Sequence, residues 1–205
     1  MRHIVRTNRP IFLVVIVVVG LALAVAACGE KAETDQGAPS AAPGDEMAQA
    51  NTATGERVMA MAAEAAEHLA GEYGDLHTAV VKAGDRDNPE HEKLHAALAQ
   101  IREETGATYV YTLIKVSDQM TNLIVDAATG DDADDYGTEY EMEPQMAAAF
   151  GGDPAYAEHT WTDESYGVQK SAFAPLRDSD GAIVAIIGID FPAPELEQYP
   201  ELLAD

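Results

Sequence analysis

Three sets of residues in this chain have the types and spacing to do chemistry. The first is His91-Glu92-Lys93-Leu94-His95, which has the form H-E-x-x-H. On a helix, histidines four apart share a face and can hold zinc, with the glutamate as general base for a bound water. Lys93 puts a cation inside the motif and Pro89 lies just upstream, so polar residues flanking a Leu94-Leu98-Ile101 stripe describe the segment better than a metal centre. The second set is the acidic run Asp131-Asp132-Ala133-Asp134-Asp135, with Glu139 and Glu141 close by. Hard carboxylate oxygens suit Ca²⁺, but the spacing is not that of an EF-hand, and a solvated loop is the simpler expectation. The third set is spread over strand-like segments: Tyr109, Tyr111, Lys115, Asp126, Trp161, Ser171 and Asp190. These are binding rather than catalytic types: aromatic walls, one amine and two acids, the usual make-up of a small-molecule pocket. No nucleophilic triad, phosphate-binding loop or dinucleotide fingerprint is present, so neither an enzyme nor a cofactor is expected.

The elements that must position these residues follow from periodicity. Residues 54–83 read as one long helix, with Val58, Met61, Ala65, Leu69, Leu76 and Val80 near the 3.6 period and Gly71 and Gly74 marking a kink near 71–75. Asn88-Pro89 predicts the start of a second helix running to about 104, stopped by Gly106. The period then changes to two. Residues 107–116 and 120–127 form a hairpin around Ser117-Asp118-Gln119, a short helix covers about 143–150, and strands are expected near 156–162, 167–177 and 182–190. Asp178-Ser179-Asp180-Gly181 is the turn between the last two. Alternation places Tyr109, Tyr111, Leu113 and Lys115 on one face of the first strand, and Val184, Ile186, Gly188 and Asp190 on one face of the last. Gly188, inside an apolar strand, marks the close approach of a backbone or ligand. The architecture expected is α+β: one antiparallel sheet of about five strands with helices packed on it.

The N-terminus addresses the protein. Arg2, Arg6 and Arg9 precede an apolar run at 11–27, which ends in Val25-Ala26-Ala27-Cys28-Gly29. A charged start, an apolar core and small residues before a break are the layout of a secretory signal peptide. The segment resembles the bacterial lipobox, which implies cleavage before Cys28, lipidation (palmitate and related acyl chains) of that cysteine, and a lipid anchor in the cell envelope. An uncleaved anchor would also place the rest of the chain outside the cytoplasm. The domains expected are a lipoprotein signal peptide at 1–27, a flexible acidic tether at 28–52, rich in Ala, Gly, Pro and acid, and a globular domain at 53–205. Cys28 is the only cysteine, so no disulfide staples the domain.

The formal charge is −24, from 12 Lys+Arg against 36 Asp+Glu. Three of the basic residues and none of the acidic ones fall in residues 1–27. A chain this acidic is not a nucleic-acid binder, because phosphate binding runs on Lys and Arg. Its field favours cationic or polar small ligands.

The stretch from Tyr109 to Asp190 resembles the Cache family of extracytoplasmic, PAS-like sensor domains. Tyr109-Val110-Tyr111-Thr112-Leu113 matches the opening strand. Leu123-Ile124-Val125-Asp126-Ala127 matches the second. The most specific match is the hairpin Ser171-Ala172-Phe173-Ala174-Pro175-Leu176-Arg177-Asp178, then Gly181, then Val184-Ala185-Ile186-Ile187-Gly188-Ile189-Asp190. The resemblance implies a small-ligand sensor in signal transduction, working in the periplasm or at the cell surface. Such domains usually end in a second transmembrane helix, and the fifteen residues after Asp190 hold no second apolar run. The signal is therefore expected to pass by contact with a membrane partner: a sensor kinase, a chemoreceptor or a cyclase. The chain also lacks the Arg-x-Trp-Tyr cluster with which double-Cache receptors hold an amino-acid carboxylate. The alternatives are an interaction lipoprotein with no pocket, in which helix 54–83 serves as a dimer surface, and a zinc hydrolase using His91 and His95.

Overall fold

The computed structural model describes residues 42–204. Cys28, the apolar run and most of the expected tether lie outside these residues. Three helices come first: α1 (Pro43–Leu69), α2 (Glu72–Ala83) and α3 (Pro89–Thr105). Then follow β1 (Tyr109–Lys115), β2 (Met120–Asp126), β3 (Glu139–Glu141), α4 (Pro144–Gly151), β4 (Ala155–Tyr156), β5 (Trp161–Asp163), β6 (Gly167–Arg177) and β7 (Ile183–Pro192). One antiparallel sheet runs β3-β2-β1-β7-β6-β4, with β5 also paired to β6. The α+β architecture is as expected, with seven strands rather than about five. The extra strands are short: β3 is three residues, and the segment expected at 156–162 pairs with β6 in two separate pieces.

Helix α1 begins at Pro43, not at 54, so residues 43–52 are helical rather than tether-like. The cause is tertiary. Met47 and Ala50 pack against the cluster of Val168, Ala193, Leu196 and Leu202, and the Asn51 amide donates to the carbonyl of Glu158 at 2.9 Å. An Ala-rich segment adds helix propensity once such contacts exist. The expected break falls at Ala70-Gly71. Gly71 has φ +78° and its N–H donates to the Arg177 carbonyl at 3.0 Å, docking the β6–β7 hairpin into the gap between α1 and α2. Gly74 completes the dock, since a Cβ there would collide with the backbone of Arg177. At α3 the Asn88 side chain accepts from the His91 N–H at 2.8 Å, and Gly106 ends the helix at φ +74°. These are ordinary caps for the terminal orphan groups.

The sheet has two different faces. On one, α1, α2 and α3 bury Val58, Leu69, Val80, Leu94 and Leu98 against Val110, Ala172, Ala174, Ile187 and Ile189. Small residues on α1 (Ala62, Ala65, Ala66) let it lie close to the strands. On the other, α4 covers part of the sheet through Met146 and Ala149, which meet Leu113, Leu123, Phe173 and Ile186. The rest of that face is open and carries the site. Val184, expected on the site face, packs with the helix-side cluster instead, where the β6–β7 register shifts at Leu176/Arg177. Gly188 is where two rings close in: a Cβ there would strike Tyr111 and Phe173, which pack edge to face at 6.3 Å. The close approach is thus by aromatic side chains. No helix among the described residues is long and apolar enough to cross a membrane.

Candidate functional site

A cavity of about 970 Å³ lies on the open face, bounded by the sheet, α4, residues 155–161 and the acidic loop after β2. Its floor comes from adjoining register positions on four strands. Asp126 on β2 is opposite Tyr111 on β1, Tyr111 is opposite Gly188 and Tyr109 opposite Asp190 on β7, and Asp190 is opposite Ser171 on β6. Period-two alternation therefore turns all of these side chains to one side. Trp161 enters from β5: its indole N–H donates to the Ser171 hydroxyl at 3.0 Å, and its ring stacks on Tyr109 at 6.2 Å. Tyr109, Tyr111, Asp126, Trp161, Ser171 and Asp190 all line the cavity.

Lys115 does not. It is exposed at the far end of β1, paired with Asp118 in the next turn at 2.7 Å. It follows Tyr111 and Leu113 along β1 but lies past the end of the cavity, because Leu113 already packs under α4. Tyr140, Tyr156, Glu143, His159 and Phe173 also line the cavity, Phe173 on the face it shares with Ser171 by alternation along β6. Tyr140 and Tyr156 sit on strands of three and two residues, too short to show a period.

The electrostatics are one-sided. Asp126, Asp132, Asp134, Glu143, Glu158 and Asp190 line the cavity together with His159, and no Lys or Arg does. Asp190 is 5% exposed. Burial pushes its carboxyl up to about 7, with Asp126 and Glu143 adding repulsion and the Ser171 and Tyr111 hydroxyls partly offsetting it. The Tyr111 hydroxyl donates to Asp190 over a long 3.5 Å, and with Ser171 as the other donor the carboxylate meets neutral hydroxyls and no Lys or Arg of the cavity. Burial also drives the Tyr111 hydroxyl well above its ordinary range. Asp126 has a different task. One oxygen accepts from the Ala128 N–H at 2.8 Å and the other from the Asp134 N–H at 3.0 Å, so it pins the acidic loop that forms the rim. Burial raises its carboxyl, and the two N–H donors counter that.

The acids of the loop point to separate partners. Asp132 accepts from the Tyr166 hydroxyl at 3.4 Å, Asp134 from the Tyr140 hydroxyl, and Asp135 pairs with Arg86 at 3.4 Å. Tyr109 donates to Asp163 at 2.9 Å, closing another side of the mouth. His91 and His95 lie side by side, ring centres 6.5 Å apart, along a second hollow of about 540 Å³ between α3 and the same loop. Among the described residues, no three His, Cys, Asp or Glu side chains converge as metal ligands would.

No protein-family model and no curated protein matches the sequence. Solved structures do. The sensor domain of the V. cholerae histidine kinase DctB is similar with a TM-score of 0.52 at 17% identity, covering 75% of this chain and 55% of that one. The ligand-binding domain of the Campylobacter jejuni chemoreceptor Tlp3, in complex with 4-methylisoleucine, is similar more loosely, with a TM-score of 0.36 at 11% identity over 74% of this chain and 62% of that one. This chain therefore spans little more than half of the DctB sensor domain. At such identity the likeness is one of fold: this chain has the α+β, PAS-like fold of the DctB sensor domain.

Proposed function

We propose that this protein is a lipid-anchored, extracytoplasmic sensor domain whose cavity takes a small ligand bearing an ammonium group. The observation that carries the reading is the make-up of the cavity: Tyr109, Tyr111, Tyr140, Tyr156, Trp161 and Phe173 as walls, a buried Asp190 in the floor, and no Lys or Arg. Aromatic faces attract cations through the ring quadrupole, most strongly when the site is desolvated. A carboxylate held only by neutral hydroxyls gains a charge-assisted hydrogen bond from a cationic partner. The same set disfavours a free carboxylate or phosphate ligand, which would meet six acids and no Lys or Arg. The shared fold and the chemoreceptor and kinase settings of the similar structures support a role in sensing.

Cys28 supplies the anchor in this reading, placing the domain on the outer side of a membrane. A sensor kinase, chemoreceptor or cyclase in that membrane receives the signal. Metabolic labelling with an alkyne palmitate tests the anchor: label lost in Cys28→Ser supports it, and label retained opposes it. Thermal melting of the full-length chain in detergent tests the ligand class. At a hundredfold excess over Kd, a ligand bound only by the folded state adds about 2.7 kcal/mol of stability. Amines should raise the melting temperature and dicarboxylates should not. Stabilisation by dicarboxylates, or by nothing in a panel of amines, amino acids, carboxylates and purines, would refute the proposal. The cavity also argues against the pocketless interaction lipoprotein, in which this sheet face would be closed.

A further inference from the structure

The acids of the cavity sit at two depths. Asp190 and Asp126 are buried in the floor, the latter tied to the Ala128 and Asp134 N–H groups, whereas Asp132, Asp134, Glu143 and Glu158 are exposed around the mouth. Three ion pairs form among the described residues, Arg57–Glu195, Arg86–Asp135 and Lys115–Asp118, and none involves a carboxylate of this cavity. What holds the rim acids is neutral: Tyr166 on Asp132, Tyr140 on Asp134 and the Gln145 amide on Glu143. Hydroxyl and amide donors fix a carboxylate in place but leave its charge uncompensated. The charge at the mouth is felt at the floor, because Glu143 repels a negative charge on Asp190.

A ligand with one ammonium group, seated on Asp190 beside the stacked rings of Tyr109 and Trp161, neutralises that carboxylate alone. The mouth stays negative, and the cavity is larger than such a ligand needs. About 970 Å³ is near the upper end of small-molecule sites, which run to roughly 1,000 Å³.

Building on the ammonium reading above, we propose that the cavity is built for a dication: an unbranched aliphatic diamine, with one ammonium on Asp190 and the other among the rim acids, chiefly Glu143. The methylene chain between them lies along the aromatic walls, where Tyr140 and Phe173 cover it. The second charge is what separates such a ligand from the many monoamines that the floor alone accepts. Discrimination is thus set at the mouth by Coulomb attraction to exposed acids, and it weakens as salt rises.

Titration calorimetry on the full-length chain in detergent tests this with 1,4-diaminobutane and 1,5-diaminopentane against 1-aminobutane and 1-aminopentane. The expected result is at least tenfold tighter binding of each diamine than of the monoamine of equal length. Glu143→Gln should bring the diamine-to-monoamine affinity ratio, measured on the variant itself, down to within about threefold of one, and Glu158→Gln provides a second rim variant should the first melt early. Equal affinities for mono- and diamines in the unaltered protein would overturn the dication inference and leave the ammonium reading standing. If no amine binds, both fall together.

Discussion

If an ammonium ligand sits on Asp190, its affinity must follow the ionisation of that one carboxyl. The perturbation is pH. In the empty cavity the Asp190 carboxyl titrates at about 7, because burial disfavours its charge and Asp126 and Glu143 repel it, while hydrogen bonds from Ser171 and Tyr111 pull the other way. Tyr111 and Tyr140 on this wall are both pushed above their ordinary range and so neutral throughout, and the remaining titratable groups of the cavity are the acids Asp126, Asp132, Asp134, Glu143 and Glu158 and the imidazole of His159. A cation binds the ionised form, so apparent affinity falls tenfold for each pH unit below the carboxyl's pKa and levels off above it. From pH 5 to pH 7 the gain is about 50-fold, and from pH 7 to pH 8 it is about twofold. Calorimetry with 1-aminobutane, which stays protonated over this range, gives the profile directly. Repeating it in two buffers of different ionisation enthalpy counts the proton released near pH 7. Asp190→Asn should bind weakly, with no change between pH 5 and pH 8. Tight binding with a flat profile in the unaltered protein would refute the placement of the ammonium on Asp190.

Other outcomes follow from the same geometry. Asp190 holds its proton more tightly folded than unfolded, so between about pH 4 and pH 7 its contribution to stability falls as pH rises, by roughly 4 kcal/mol in total; Asp190→Asn should remove that slope from urea-melting data. His77 works in the opposite direction. It is fully buried on α2, one ring nitrogen meets the Thr112 hydroxyl at 3.1 Å, the other has no partner, and burial lowers its pKa to about 4. Its neutral form is favoured by folding, so stability rises with pH from about 4 to 6.5, by roughly 3 kcal/mol, and His77→Leu should lose that acid sensitivity. Lys170 is fully buried on the helix side of β6, donating to Asn51 and to the Glu158 carbonyl, with its pKa lowered by burial to about 8. Lys170→Met should abolish a rise in stability between about pH 8 and 10.5. Gly55→Ala should cost about 1–3 kcal/mol, read as a lower melting temperature, because the added Cβ collides with the Tyr156 ring.

Much of the fold is legible because its signals are local. The α3 caps at Asn88 and Gly106, the Asp178–Gly181 turn and the long strands on either side of it are each announced by residues within a few positions. The floor of the cavity is legible for a related reason. Alternation turns Tyr109, Tyr111, Ser171 and Asp190 to one side once the strands pair. What alternation does not reveal is how far along a strand a cavity extends, and Lys115 falls beyond its end. Nor does composition reveal that residues 43–52 are helical. Their Ala-, Gly- and acid-rich run reads as a linker, and the contacts that hold it, with Glu158, Leu196 and Tyr199, come from more than a hundred residues away. Tyr140 and Tyr156 escape for the same reason: strands of two or three residues owe their place to pairing partners, not to a pattern of their own.

The central claim is that this cavity holds a ligand by its ammonium group. A crystal structure of the protein soaked with 1,4-diaminobutane tests it most directly. The expected result is a nitrogen within hydrogen-bond distance of the Asp190 carboxylate, beside the stacked rings of Tyr109 and Trp161. A cavity that stays filled with water alone at saturating diamine, or a ligand whose methylene chain rather than its nitrogen meets Asp190, would contradict it.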